Sequence, residues 1–177
     1  GNAEGIKNGT QTRHFGATLH WGTSAGANHK QYGTSYLAPE NNPLQNDEYH
    51  IITTEWDGQF LSMYYDLKDF TVAAKNKARF YSATIPASTN SADIGHYFQK
   101  PFFFIFNLAV GGNYTGIYNA GGISALPNAG DEAKMFVDWV RVYQDEADAE
   151  AQYKTPDGDN TGSNPDTLSL IHISEPT

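Results

Sequence analysis

The dipeptide Asp57-Gly58 stands between two runs rich in β-branched and aromatic residues, Tyr49 to Trp56 (YHIITTEW) and Phe60 to Tyr65 (FLSMYY). Asp-Gly supplies the positive φ angles of a tight hairpin turn, so the two runs are predicted to be adjacent antiparallel strands. A second stretch points the same way. From His14 to Trp21 (HFGATLHW), Phe15, Ala17, Leu19 and Trp21 fall on one face and His14, Gly16, Thr18 and His20 on the other. That two-residue period predicts a strand with an apolar and a polar side. Composition agrees: aromatics are 14% of the chain, charged residues only 18%, and Gly and Pro number 17 and 8, which suits strands and turns better than a helical bundle. An all-β domain is the expectation.

Other segments carry weaker signals. Gly22 to Asn46 is rich in Gly, Asn, Ser and Pro and predicts a long loop with room for one short strand. The middle of the chain is irregular, with one helical turn expected around Ile94 to Gln99. Pro101 then opens PFFFIFNLAV, apolar on both faces, which predicts a central buried strand. Met135 to Tyr143 (MFVDWVRVY) predicts a last strand. Residues 1–144 therefore read as one domain, 145–167 as an acidic and polar tail, and 168–177 (LSLIHISEPT), which match nothing upstream, as a non-native addition.

Charge excludes one class of partner. A net charge of −9 and a pI near 4.9 repel a phosphate backbone, so no nucleic-acid partner is expected. With no Cys there is neither a disulfide frame nor a thiolate metal site. The longest apolar run, residues 102–110, falls well short of the ~20 residues a membrane span needs, and no membrane association is expected.

Four phrases in order, GATLHWG at 16–22, EWDGQ at 55–59, PFFFIFNLAVGGNY at 101–114 and MFVDWVRVYQ at 135–144, resemble glycoside hydrolases of family 16, above all the bacterial laminarinases. The resemblance implies a concanavalin-like jelly-roll β-sandwich whose concave sheet holds a β-glucan chain. It implies retaining, endo-acting cleavage of β-1,3 or mixed β-1,3/1,4 linkages by a secreted or cell-surface protein, monomeric at full length. Retention needs two carboxyls about 5 to 5.5 Å apart across the bond. The family carries them in E-x-D-x-x-E or E-x-D-x-E on one strand, and that strand is expected upstream of Gly1. No residue here inherits the catalytic roles, and the fragment alone is expected to be inactive. Glu146, Asp148 and Glu150 spell the shorter motif, but they lie among Ala and Asp after the last predicted strand and read as a solvated acidic tail.

The resemblance also nominates binding residues. His20 matches a cleft histidine, although without the resemblance a polar residue on a solvated strand face is the preferred reading, and Trp56 matches a subsite tryptophan that stacks on a pyranose ring, although it also suits a core. Asn107 interrupts an apolar run where an unpartnered buried amide costs about 1–3 kcal/mol, and the resemblance places it near the cleft floor. Asn113 and Tyr114 match the cleft rim. Asp138 matches a ligand of a structural Ca²⁺, an ion that takes six to eight oxygens and would find its site incomplete here; no catalytic cofactor is implied. A non-catalytic glycan-binding jelly roll stays open as the alternative. Unpaired strand edges and an exposed apolar face are expected to leave the isolated fragment aggregated or partly disordered.

Overall fold

The computed structural model describes residues 10, 12–23, 28–113, 115–123 and 128–143. The chain forms two compact units, Gly1–Ala133 and Lys134–Thr177. In the first, β1 (His14–Trp21) pairs antiparallel with β2 (Lys30–Leu37), and β3 (Ile52–Trp56), β4 (Phe60–Tyr65) and β5 (Arg79–Thr84) form a three-stranded antiparallel sheet in the order β3-β4-β5. Two short helices, α1 (Val72–Ala78) and α2 (Ile94–Phe98), flank β5 in sequence, and Ala120–Gly122 form a single 3₁₀ turn.

The predicted hairpin is present, with its turn displaced by one residue. Trp56 pairs with Leu61 and the Asp57 N–H bonds the Phe60 carbonyl at 3.1 Å, so the loop residues are Gly58 and Gln59. Gly58 alone takes a positive φ, +85°, as a turn with glycine at its first central position requires. Asp57 instead closes the turn through its side chain, whose Oδ1 accepts from the N–H groups of Gln59 and Phe60.

The apolar face of β1 turns inward as its period predicts. Ala17 and Leu19 are buried and join Leu61, Tyr81, Ala83, Ile85 and Phe98 in one core, with Trp21 half-buried against it. The two sheets thus face each other, and the buried Tyr81 hydroxyl crosses between them to the Tyr32 carbonyl at 2.8 Å. At one end Phe15, Tyr36, Tyr65 and Phe80 stack with centroids 5.1 to 6.1 Å apart, in the tilted and edge-on arrangements that aromatic pairs prefer. Phe80 reaches this cluster through a bulge. Tyr81 pairs with Met63 but Arg79 pairs with Tyr64, which leaves Phe80 as the extra residue and lets consecutive aromatics face the core.

Two strand expectations are corrected. Residues 102–110 and 135–143 carry no strand, and their large apolar side chains are open to solvent: Phe103 is 81% exposed, Ile105 74% and Phe136 70%. Neither segment has a ladder neighbour among the described residues, and an apolar run becomes a buried strand only when partners take its N–H and C=O groups. Phe102 to Phe106 hold neither charge, Pro nor Gly, the composition of an aggregation-prone segment. The isolated chain is therefore expected to scatter light at micromolar concentration, and Phe103→Lys with Ile105→Lys should cut that scattering several-fold. Equal scattering from the double variant would place the sticky surface elsewhere. The predicted tail (145–167) and final ten residues (168–177) lie outside the described residues.

Candidate functional site

The outward face of the β1–β2 ladder is polar and low in relief. His14, Gly16, Thr18 and His20 oppose Leu37, Ser35, Gly33 and Gln31, so histidine, hydroxyl and amide groups stand beside two glycines. A Cβ on Gly33 would meet Thr18 Oγ1 at 2.4 Å. His20, exposed at the end of β1, places its Nδ1 2.8 Å from His29 Nε2, with the rings stacked at 5.0 Å and 13°. On the same face the His14 Nδ1 is buried without a hydrogen-bond partner. Trp21, on the opposite side, donates its indole N–H to the Ala92 carbonyl at 3.4 Å and belongs with the core, as its phase predicts.

No hydrogen bond or ring contact among the described residues joins His20 to Trp56, Asn107 or Asn113. Trp56 ends β3, 42% exposed, edge-on to Phe102 at 5.6 Å, and Phe102 in turn packs on the core residue Phe98 at 5.2 Å. Part of the residue thus remains open to solvent. Asn107 is exposed, which corrects the expectation of a buried amide; the run that was to bury it has no sheet around it. Asn113 is exposed in a small loop closed by the Gly112 to Ile117 bridge, where Gly111, Gly112 and Gly116 all take positive φ. Tyr114 lies outside the described residues.

Asp138 is exposed in the second unit, and no group of three metal-binding side chains occurs among the described residues. That donor set does not fit Ca²⁺, so any such site on Asp138 takes its remaining oxygens from elsewhere.

Among the described strands, Glu55 is the single acidic residue. Its carboxylate accepts from Tyr64 Oη at 2.5 Å and pairs with Lys75 of α1. Partial burial pushes the carboxyl up, but the hydrogen bonds from Lys75 and Tyr64 outweigh it and hold Glu55 below the usual range. A general acid needs the opposite, a carboxyl that keeps its proton near neutral pH. Glu55 instead fastens α1 to the outer face of the sheet.

Sequence reasoning missed a second polar cluster. His50 Nδ1 lies 2.8 Å from Asp66 Oδ2 and 2.9 Å from Tyr65 Oη, while its Nε2 lies 2.9 Å from Asn46 Oδ1. Asp66 also accepts from Asn42 Nδ2 at 2.7 Å and from the Ile51 N–H at 2.9 Å. Burial of the Tyr65 phenol, with the Asp66 charge beside it, pushes it up to about 12. The cluster is well enclosed, with side-chain exposures of 7% for His50 and 13% for Asp66, and each polar group faces another of the protein's own. It is a clasp that ties the loop before β3 to the end of β4. Its signal in the sequence was faint, because the partners are spread from Asn42 to Asp66.

No family model matches the chain. It is 35% identical over 130 residues to glucan endo-1,3-beta-glucosidase A1 of Niallia circulans, an alignment covering 73% of this chain and 17% of that protein. It is 29% identical over 144 residues to the clotting factor G alpha subunit of Tachypleus tridentatus, covering 81% of this chain and again 17% of the relative. The chain thus spans well under a fifth of the length of these curated relatives. Among solved structures, a Bacteroides ovatus mixed-linkage glucan PUL glycoside hydrolase of family 16, in complex with product, aligns at 25% identity with a TM-score of 0.51, over 71% of this chain and 44% of that one.

Proposed function

Since the chain belongs to the laminarinase-like members of glycoside hydrolase family 16, with their jelly-roll β-sandwich, we propose that it is part of a retaining, endo-acting hydrolase of β-1,3 or mixed β-1,3/1,4 glucans. The observation that carries this reading is the 35% identity to a glucan endo-1,3-beta-glucosidase over most of the chain. The polar face of β1–β2 suits a polysaccharide floor: its small residues admit a sugar ring closely, and His20 at its end can hydrogen-bond a hydroxyl or a catalytic carboxyl. Trp56 offers an open indole face to a pyranose C–H surface. Asn113 and Tyr114 are assigned to the rim.

In this reading the two reacting carboxyls belong to a strand of the longer protein, one attacking the anomeric carbon and the other protonating the leaving oxygen, and no cofactor takes part. A secreted, monomeric enzyme fits an insoluble or high-molecular-weight glucan. Reducing-sugar release from laminarin tests the proposal, with this chain compared against the longer natural protein. Hydrolysis by the longer protein and none by the chain is the expected result. Hydrolysis by the chain itself would misplace the carboxyls, and retention of either protein on laminarin beads without hydrolysis by the longer one would favour a glycan-binding module.

A further inference from the structure

We infer that His20 and His29 form a two-imidazole site for a divalent transition-metal ion of the Zn²⁺ and Cu²⁺ kind. Their facing nitrogens are 2.8 Å apart, and both rings are exposed, which leaves water free to complete the coordination shell. Two nitrogens each about 2.0–2.1 Å from a tetrahedral Zn²⁺ stand roughly 3.3 Å apart, so the nitrogens need to part by about 0.5 Å, and the rings, now only 13° from parallel, need to turn so that both lone pairs converge on the ion. Imidazole suits both ions. One ring now donates its proton to the other. Metal binding needs both lone pairs, so that proton moves to the far nitrogen of the donor ring, and none is lost overall.

The backbone sets this spacing. His20 opposes Gln31, which puts His29 on the diagonal position of the same face. Gly22 lets the returning chain come close: its φ is +122°, and a Cβ there would meet the Asn28 carbonyl oxygen at 2.0 Å. The neighbouring cation points away, since Lys30 Nζ donates to the Ala92 carbonyl at 2.7 Å. Neither ring has another hydrogen-bond partner among the described residues, whereas both nitrogens of His50 are engaged and His96 Nε2 meets Lys100.

One consequence rests on the proposed glucanase reading: an ion held by His20 withdraws that ring from the sugar, so Zn²⁺ should inhibit hydrolysis. Metal binding itself does not depend on that reading. Calorimetric titration of the chain with ZnCl₂ and CuCl₂ near neutral pH tests it. One ion should bind, roughly tenfold or more weakly to His29→Ala, which leaves a single imidazole, and unchanged to His96→Ala. Circular dichroism melts confirm that the variants fold, and the ring protons of His20 and His29 should be the ones to shift with Zn²⁺. Equal affinity in His29→Ala, or shifts centred on another histidine, would overturn the site. In the longer protein, Zn²⁺ should inhibit wild type and spare His29→Ala; binding without inhibition would leave the metal site standing and remove His20 from the cleft.

Discussion

Asp66→Ala is expected to destabilise the protein by about 3 kcal/mol, because it strips the acceptor from three donors at once: His50, Asn42 and the Ile51 N–H. A buried donor left unpaired costs about 1–3 kcal/mol, and rehydration of the exposed Ile51 N–H and, in part, of the partly buried His50 and Asn42 recovers some of the sum. The backbone adds to the loss. Asp66 has φ +51°, a left-handed conformation that Asp and Asn tolerate better than Ala. Asp66→Asn keeps one acceptor oxygen and that tolerance, so it should lose distinctly less. The two variants also separate charge from shape. Burial pushes the Asp66 carboxyl up, but the hydrogen bonds from His50, Ile51 and Asn42 outweigh it and hold the carboxyl below its ordinary value. A carboxyl lowered in this way contributes stability above its unfolded value, near 3.9, and that contribution fades as pH falls through the lower folded value. Urea unfolding followed by tryptophan fluorescence should therefore show wild type losing stability below about pH 4 more steeply than Asp66→Asn. Equal slopes would mean that the carboxylate is not what holds the clasp.

Gly95→Ala is expected to cost about 3 kcal/mol, even though alanine is the better helix former. A methyl group at this buried position of α2 would sit 1.7 Å from the Pro86 carbonyl oxygen and 2.7 Å from its carbon, contacts with backbone that no rotamer can relieve. Helix propensity returns about 1 kcal/mol, whereas moving α2 away disturbs Ile94 and Phe98, which pack in or against the core. Gly121→Ala is the control, because its methyl group would meet nothing nearer than Asn119 Oδ1 at 3.5 Å and should change stability by no more than about 0.5 kcal/mol. A Gly95→Ala protein as stable as wild type would show that α2 does not pack on Pro86.

The sequence was informative where a local pattern met its own partner nearby. β1 and β4 have the bounds their residues predict, and on β1 the alternation also tells which face is buried. β3 begins later than the run Tyr49 to Trp56 suggests, because His50 and Ile51 are drawn into the clasp with Asp66. β2 was hidden by a loop-like composition; pairing with β1, rather than the propensity of KQYGTSYL, makes it a strand. β5 and α1 carry local signals of their own: Tyr81, Ala83 and Ile85 alternate with Ser82 and Thr84, and Thr71 caps α1 through its hydroxyl. Residues 102–110 and 135–143 carry the opposite lesson, since their apolar composition specifies burial without supplying the neighbour that achieves it. Of the candidate site, the phase of β1 told that His20 lies on its polar face, and the resemblance alone nominated it as a binding residue. Its partner His29 was not legible, because it lies nine positions further along the chain and no period links a strand to the far side of its own hairpin.

The unpaired Phe80 also governs how this region can change over evolutionary time. Deleting that one residue would leave Tyr81 opposite Met63 and Arg79 opposite Tyr64, so the β4–β5 ladder would close up with its pairs unchanged, and the loss would fall on the aromatic cluster, where Phe80 packs on Phe15 and Tyr36. The stretch from β4 to β5 can therefore lose this one residue without re-pairing its neighbours, and an alignment that closes the gap at Phe80 keeps the flanking positions in step.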